Sequence, residues 1–104
     1  MFLPLDRTLI IAEAGINHDG DIEAAKKMVD VAVKAGADYV KFQSFVAEKL
    51  ALPVAERSTY IVDGSYEGES FRDLLKRLEL SYDEQREMNE YCKQAGIKFL
   101  STAF

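Results

Sequence analysis

The sequence predicts an α/β fold made of about three parallel β/α units. Two observations carry this. Short apolar runs rich in β-branched and aromatic residues alternate with longer stretches whose apolar residues recur every three or four positions. The chain also echoes itself: Lys34-Ala35-Gly36 precedes Tyr39-Val40-Lys41-Phe42, and Gln94-Ala95-Gly96 precedes Ile97-Lys98-Phe99-Leu100. Each copy is a helix end, a glycine stop and a short strand. Units of this kind suit a barrel or a doubly wound sheet, but three strands cannot close a barrel, which takes roughly 200 residues or more. With 104 residues and a strand at its end, the chain reads as the N-terminal part of a larger enzyme.

The first strand is expected over Thr8–Ala14, apolar enough to be covered on both faces. Asp21 is a good N-cap for the helix that follows. In that helix Ile22, Ala25, Met28, Val29, Ala32 and Val33 share one face, and Lys26, Lys27, Asp30 and Lys34 the other. Gly36 is its expected stop. Tyr39–Gln43 is the second strand, parallel to the first because a helix separates them. A long connection runs from Ser44 to about Glu69, with a short helix between Val46 and Leu52 ahead of Pro53. It carries Gly64, Gly68, Tyr60 and Tyr66, and connections this long are usually functional or disordered. Phe71, Leu74, Leu75 and Leu78 then mark another helix. Ser81-Tyr82-Asp83-Glu84 is a capping box opening the next one, with Met88, Tyr91, Cys92 and Ala95 as its apolar stripe. Lys98–Thr102 is the third strand.

Composition narrows the function. The chain is 48% hydrophobic and 30% charged, as expected of one compact domain. A net charge of −5 with scattered lysines and arginines argues against nucleic acid as a partner. No apolar run approaches the ~20 residues of a membrane span, and Met1–Leu5 is too short for a signal peptide. Neither a membrane nor secretion is expected; the location expected is cytoplasmic. The single Cys92 excludes an internal disulfide and reads as a small apolar residue on a helix.

Chemistry gathers where strands end. In parallel α/β folds the C-terminal ends of the strands line the site. Glu13 and Asn17 fall at the end of the first strand, Lys41 and Gln43 at the end of the second, Ser101 and Thr102 at the end of the third. An isolated buried charge is costly. Lys41 therefore needs an anion, either a phosphate or carboxylate substrate or Glu13 itself, and Glu13 is either paired or reaches a cavity. His18, in the turn Asn17-His18-Asp19-Gly20, is expected to hydrogen-bond its loop rather than bind metal, since metal sites need several ligands.

Three stretches together resemble the sialic acid synthase family: Ile11–Gly20, Ala35–Gln43 and Phe99–Phe104. That family includes N-acetylneuraminate synthase, its pseudaminate and legionaminate relatives and a spore-coat polysaccharide biosynthesis protein. The resemblance implies a (β/α)₈ TIM barrel, of which residues 1–104 are the N-terminal portion, followed by a small antifreeze-like domain. It implies condensation of phosphoenolpyruvate with an N-acylated amino sugar, releasing phosphate and forming a nonulosonic acid. A divalent metal, Mn²⁺ or Mg²⁺, would polarise the sugar aldehyde, with its ligands outside this chain. By position, Glu13 matches the family's active-site glutamate, Lys41 a lysine contacting phosphoenolpyruvate, Thr102 a hydroxyl near the same ligand, and Gln43 a residue facing the sugar. Asn17 and His18 match the signature turn that shapes the mouth.

Ala103 stands where the family usually has proline, and the long connection lacks the asparagine expected to contact the sugar, with Ser65 nearby. Alone, the chain is expected to be inactive and to self-associate through open sheet edges and an inward face carrying Ile11, Val40, Phe42 and Leu100. The intact enzyme is expected to be a homo-oligomer. Two other readings are a non-catalytic interaction module or remnant, and a phosphate-binding barrel enzyme such as an aldolase with Lys41 as its Schiff-base lysine.

Overall fold

The structure, a computed structural model, describes residues 6–50 and 70–104. In chain order the elements are β1 (Ile11–Gly15), α1 (Ile22–Lys34), β2 (Tyr39–Ser44), α2 (Ala47–Leu50), α3 (Phe71–Leu78), α4 (Tyr82–Ala95) and β3 (Lys98–Ala103). The strands form one sheet in the order β1-β2-β3, with both pairs parallel. The α/β class, the strands and the four helices are as expected. Ser65, Tyr60, Tyr66, Gly64, Gly68 and Met1–Leu5 lie outside the described residues.

Local chemistry sets the helix ends. The Asp21 side chain accepts the Glu23 N–H at 2.9 Å and starts α1. At α4 the Glu84 N–H donates to Ser81 Oγ and the Ser81 N–H donates back to Glu84 Oε1, closing the expected capping box. This satisfies two backbone donors that a helix start leaves without partners.

Alternation along the strands divides the sheet into two faces. Ala12, Ala14, Val40, Phe42 and Phe99 turn toward α1 and α4. There they meet Ala25, Val29 and Ala32 of α1 and Met88 and Cys92 of α4. Met88 and Val29 are fully buried, and truncating a side chain such as Met88 to alanine typically costs about 2–5 kcal/mol. Cys92 has the apolar role expected of it: burial pushes its thiol up to about 11. Lys26 of α1 reaches Glu87 of α4 at 2.6 Å, and the Tyr91 hydroxyl donates to Asp30 at 2.7 Å.

Three expectations need correction. β1 begins at Ile11 rather than Thr8, and Ile10 and Ile11 are exposed instead of covered on both sides. Val40 and Phe42 do not share a face with Ile11 and Leu100. Side chains in a strand alternate, so Val40 and Phe42 lie under the helices while Ile11 and Leu100, register partners of Tyr39 and Lys41, project from the opposite, open face. The short helix after β2 begins at Ala47, one residue later than expected, and is described as far as Leu50; Ala51 and Leu52 lie outside the described residues.

A second apolar cluster joins the start and end of the β2–α4 connection. Phe45 and Ala47 pack with Leu74, Leu75 and Leu78 of α3, and Ile16 from the turn after β1 packs against them. Polar contacts tie the same elements: the Ala47 N–H donates to Glu79 Oε2 at 3.1 Å, and Lys76 pairs with Glu48 at 3.2 Å. At the N-terminal end of the sheet, Arg7 grips Asp38, which also accepts the Ile10 N–H at 2.8 Å.

Candidate active site

The open face of the sheet carries the chemistry. Glu13 and Lys41 are partners in the β1–β2 register, and Lys41 Nζ lies 2.9 Å from Glu13 Oε2. The Lys41 side chain is 33% exposed and that of Glu13 50%, so the pair is accessible to a ligand. Gln43 follows two residues along the same face, and Thr102 is its register partner on β3. A carboxylate, an ammonium, an amide and a hydroxyl therefore share one surface at the C-terminal half of three parallel strands.

The end of β1 is shaped for this. The β1–β2 register shifts between Glu13 and Gly15, so the strand carries an irregularity directly after the carboxylate. Gly15 has a φ of +58°, a left-handed conformation that favours glycine. A Cβ at Gly15 would stand 3.4 Å from Glu13 Oε1 and 3.6 Å from Gln43 Nε2. The bare α-carbon leaves both groups their room. Sequence reasoning did not single out Gly15, although a glycine at a strand end is a known sign of close backbone approach.

Asn17 bonds within its own turn. Its side-chain Nδ2 donates to the Ala14 carbonyl at 3.0 Å, and its N–H donates to the same oxygen at 3.2 Å. Its place is in the turn. His18 is buried beneath that turn, and its Nδ1 accepts the Gly20 N–H at 2.9 Å, the loop hydrogen bond expected of it. Burial lowers the imidazole pKa below its ordinary 6.5, against the opposing pull of Asp19, Glu84 and Asp21.

Ser101 does not join the cluster, contrary to expectation. It lies on the helix side, where its hydroxyl meets Ser44 Oγ, which in turn donates to Gln85 Oε1. Strand alternation places neighbours on opposite faces, so Ser101 and Thr102 could not both face the pair. The described residues bring no three His, Cys, Asp or Glu side chains together. They do not by themselves fit a divalent metal centre. No helix among them is long and apolar enough to cross a membrane.

Residues 28–104 match the NeuB family. Over 100 residues the chain is 41% identical to the N,N'-diacetyllegionaminic acid synthase of Campylobacter jejuni, covering 96% of this chain and 30% of that protein. Over 93 residues it is 37% identical to the N-acetylneuraminate-9-phosphate synthase of Homo sapiens, covering 89% of this chain and 26% of that one. The fold is similar to the crystal structure of N-acetylneuraminic acid (sialic acid) synthetase from Leptospira borgpetersenii in complex with citrate. That likeness has a TM-score of 0.69 at 29% identity and covers 93% of this chain and 30% of that one. The chain thus spans less than a third of the length of these relatives.

Proposed function

Because the chain belongs to the NeuB family, we propose that it forms the opening three β/α units of a TIM-barrel synthase that joins phosphoenolpyruvate to an N-acylated amino sugar. One water is consumed, the product is a nonulosonic acid, and inorganic phosphate is released. The observation that carries this reading is the accessible Glu13–Lys41 pair on the open face, with Gln43 and Thr102 beside it.

In this reading the open face is the inside of the barrel. Further units continue the sheet past its two edges, β1 and β3. An apolar groove between β1 and α1, lined by Ala12, Met28, Val31 and Val40 among others, gives a neighbouring unit an apolar flank to pack on. Lys41 receives the phosphate or carboxylate of phosphoenolpyruvate, for which a preorganised cation is the natural partner. Thr102 hydrogen-bonds the same ligand, and Gln43 faces the sugar. Glu13 orients Lys41 before the substrate arrives and then works beside the reacting carbons, where the methylene of phosphoenolpyruvate bonds to the aldehyde carbon of the sugar. Asn17 holds the turn at the mouth. A Mn²⁺ or Mg²⁺ ion, with its ligands outside this chain, would supply polarisation of the aldehyde when bound. The remaining barrel, an antifreeze-like second domain and a cytoplasmic location complete the proposal.

The test is an assay of the full-length protein with phosphoenolpyruvate, manganese and a panel of N-acylated sugars. Phosphate release that depends on one of the sugars is expected. Sugar-independent release, no release with any of them, or a borohydride-trapped adduct on Lys41 would overturn the reading; the trapped adduct would favour an aldolase.

A further inference from the structure

His18 is 1% exposed, and its ring centroid lies 6.1 Å from that of Phe42. Phe42 stands in β2 between Lys41 and Gln43 and faces the helices while they face the open side. The imidazole therefore braces the back of the strand that carries both residues. From the turn after β1 it also holds the Gly20 N–H. The turn is wound tightly around it: Asp19 N–H donates to the Ile16 carbonyl at 3.1 Å, and Asp21 N–H to the His18 carbonyl at 3.0 Å. Gly20 is pressed so close to α3 that a Cβ there would meet the Arg77 carbonyl oxygen at 2.1 Å.

Because Nδ1 accepts, the neutral imidazole carries its hydrogen on Nε2. That atom is buried and has no hydrogen-bond partner among the described residues. A leucine or phenylalanine would fill the space without burying an unpaired donor. What the imidazole adds is the acceptor. We propose, building on the synthase reading, that His18 is a positioning residue whose Nδ1 clamps the turn after β1 and so holds Glu13 in register with Lys41 and Asn17 in its place in the turn. Protonation would turn Nδ1 into a donor facing the Gly20 donor and open the clamp. The charged groups around it are Asp19 and Asp21 on the turn, Glu84 from α4, and Arg77 of α3, which pairs with Asp19 at 3.6 Å.

The test compares two variants of the full-length protein. In His18→Asn the amide oxygen can stand where Nδ1 stands; His18→Phe keeps a ring and has no acceptor. At pH 7.5 His18→Asn is expected to keep kcat within about threefold of wild type. His18→Phe should lose about tenfold or more in kcat per folded molecule, with KM for phosphoenolpyruvate nearly unchanged. The wild-type fall in kcat below pH 6.5 should be absent from His18→Asn. Wild-type kcat in His18→Phe, or equal losses in the two variants, would overturn the proposal. A third measurement needs neither turnover nor a folded Phe variant. In ¹⁵N spectra the histidine signal that His18→Asn removes should show a protonated Nε2 and a bare Nδ1 at pH 7.5. The opposite tautomer or a charged ring would overturn the clamp, whereas absent phosphate release would sink only the synthase reading.

Discussion

Replacing Lys41 by methionine removes the ammonium and keeps most of the stem. Its effect on stability and its effect on ligand binding should separate. At 2.9 Å, two unit charges attract by about 1.4 kcal/mol in bulk water and by about 6 kcal/mol at an effective dielectric constant of 20. Both partners are partly solvated, however, and exposed pairs contribute about 1 kcal/mol or less once screening and side-chain entropy are included. The unfolding free energy of Lys41→Met in urea should therefore change by no more than about 1 kcal/mol. A hydrogen bond to a charged group contributes about 1.5–3 kcal/mol, so phosphoenolpyruvate affinity should fall by about tenfold to a hundredfold. Calorimetric titration of the full-length protein with phosphoenolpyruvate, paired with urea unfolding, reads both quantities. Unchanged affinity alongside a stability loss of several kcal/mol would refute the reasoning, because that is the behaviour of a buried structural ion pair.

Glu13→Gln keeps volume and hydrogen bonding but removes the charge; it should fold normally and lose most activity, and near-wild-type turnover would demote Glu13 to a structural partner. Gly20→Ala drives a Cβ into the Arg77 carbonyl oxygen at 2.1 Å, whereas Gly96→Ala meets nothing within 4 Å. Both pay for a left-handed backbone, so thermal unfolding should show Gly20→Ala to be the more damaging by about 1–3 kcal/mol. Asp38 is held at about 2 by the Arg7 hydrogen bond and then by the Ile10 N–H. A depressed folded-state pKa means that its stabilising contribution is complete above 3.8 and is lost as pH falls toward 2; acid unfolding of Asp38→Asn should lack that component. The 104 residues expressed alone, with Ile10, Ile11, Val31 and Leu100 exposed, should self-associate at micromolar concentration, and a stable monomer by sedimentation would contradict this.

Much of this architecture was legible because it is written locally. The Asp21 cap, the Ser81–Glu84 box and the β/α alternation are short-range patterns, and each predicted its element. From sequence Lys41 needs an anion, either a substrate or Glu13, and the parallel register sets Glu13 directly beside it. What eluded the sequence depends on three-dimensional parity and contact. Ser101 was grouped with Thr102 by proximity along the chain, although adjacent strand residues face opposite ways. Val40 and Phe42 read as apolar, but nothing local tells which face the helices will cover. Gly15 and Gly20 matter for what stands opposite them, a carboxylate in one case and the backbone of a distant helix in the other. His18 was read correctly as bonded to its loop, while its burial against Phe42 needed the fold.

The second apolar cluster fastens the two ends of the β2–α4 connection together. Phe45, Ala47 and Glu48 fix one end of the β2–α4 connection, and Leu74, Leu75, Lys76 and Glu79 fix the other. Because these ends are fastened to each other, the span joining them closes a loop whose entropy grows only with the logarithm of its length. Doubling that span adds about 0.6 kcal/mol. A change in length between these two ends therefore costs the sheet and the Glu13–Lys41 pair little.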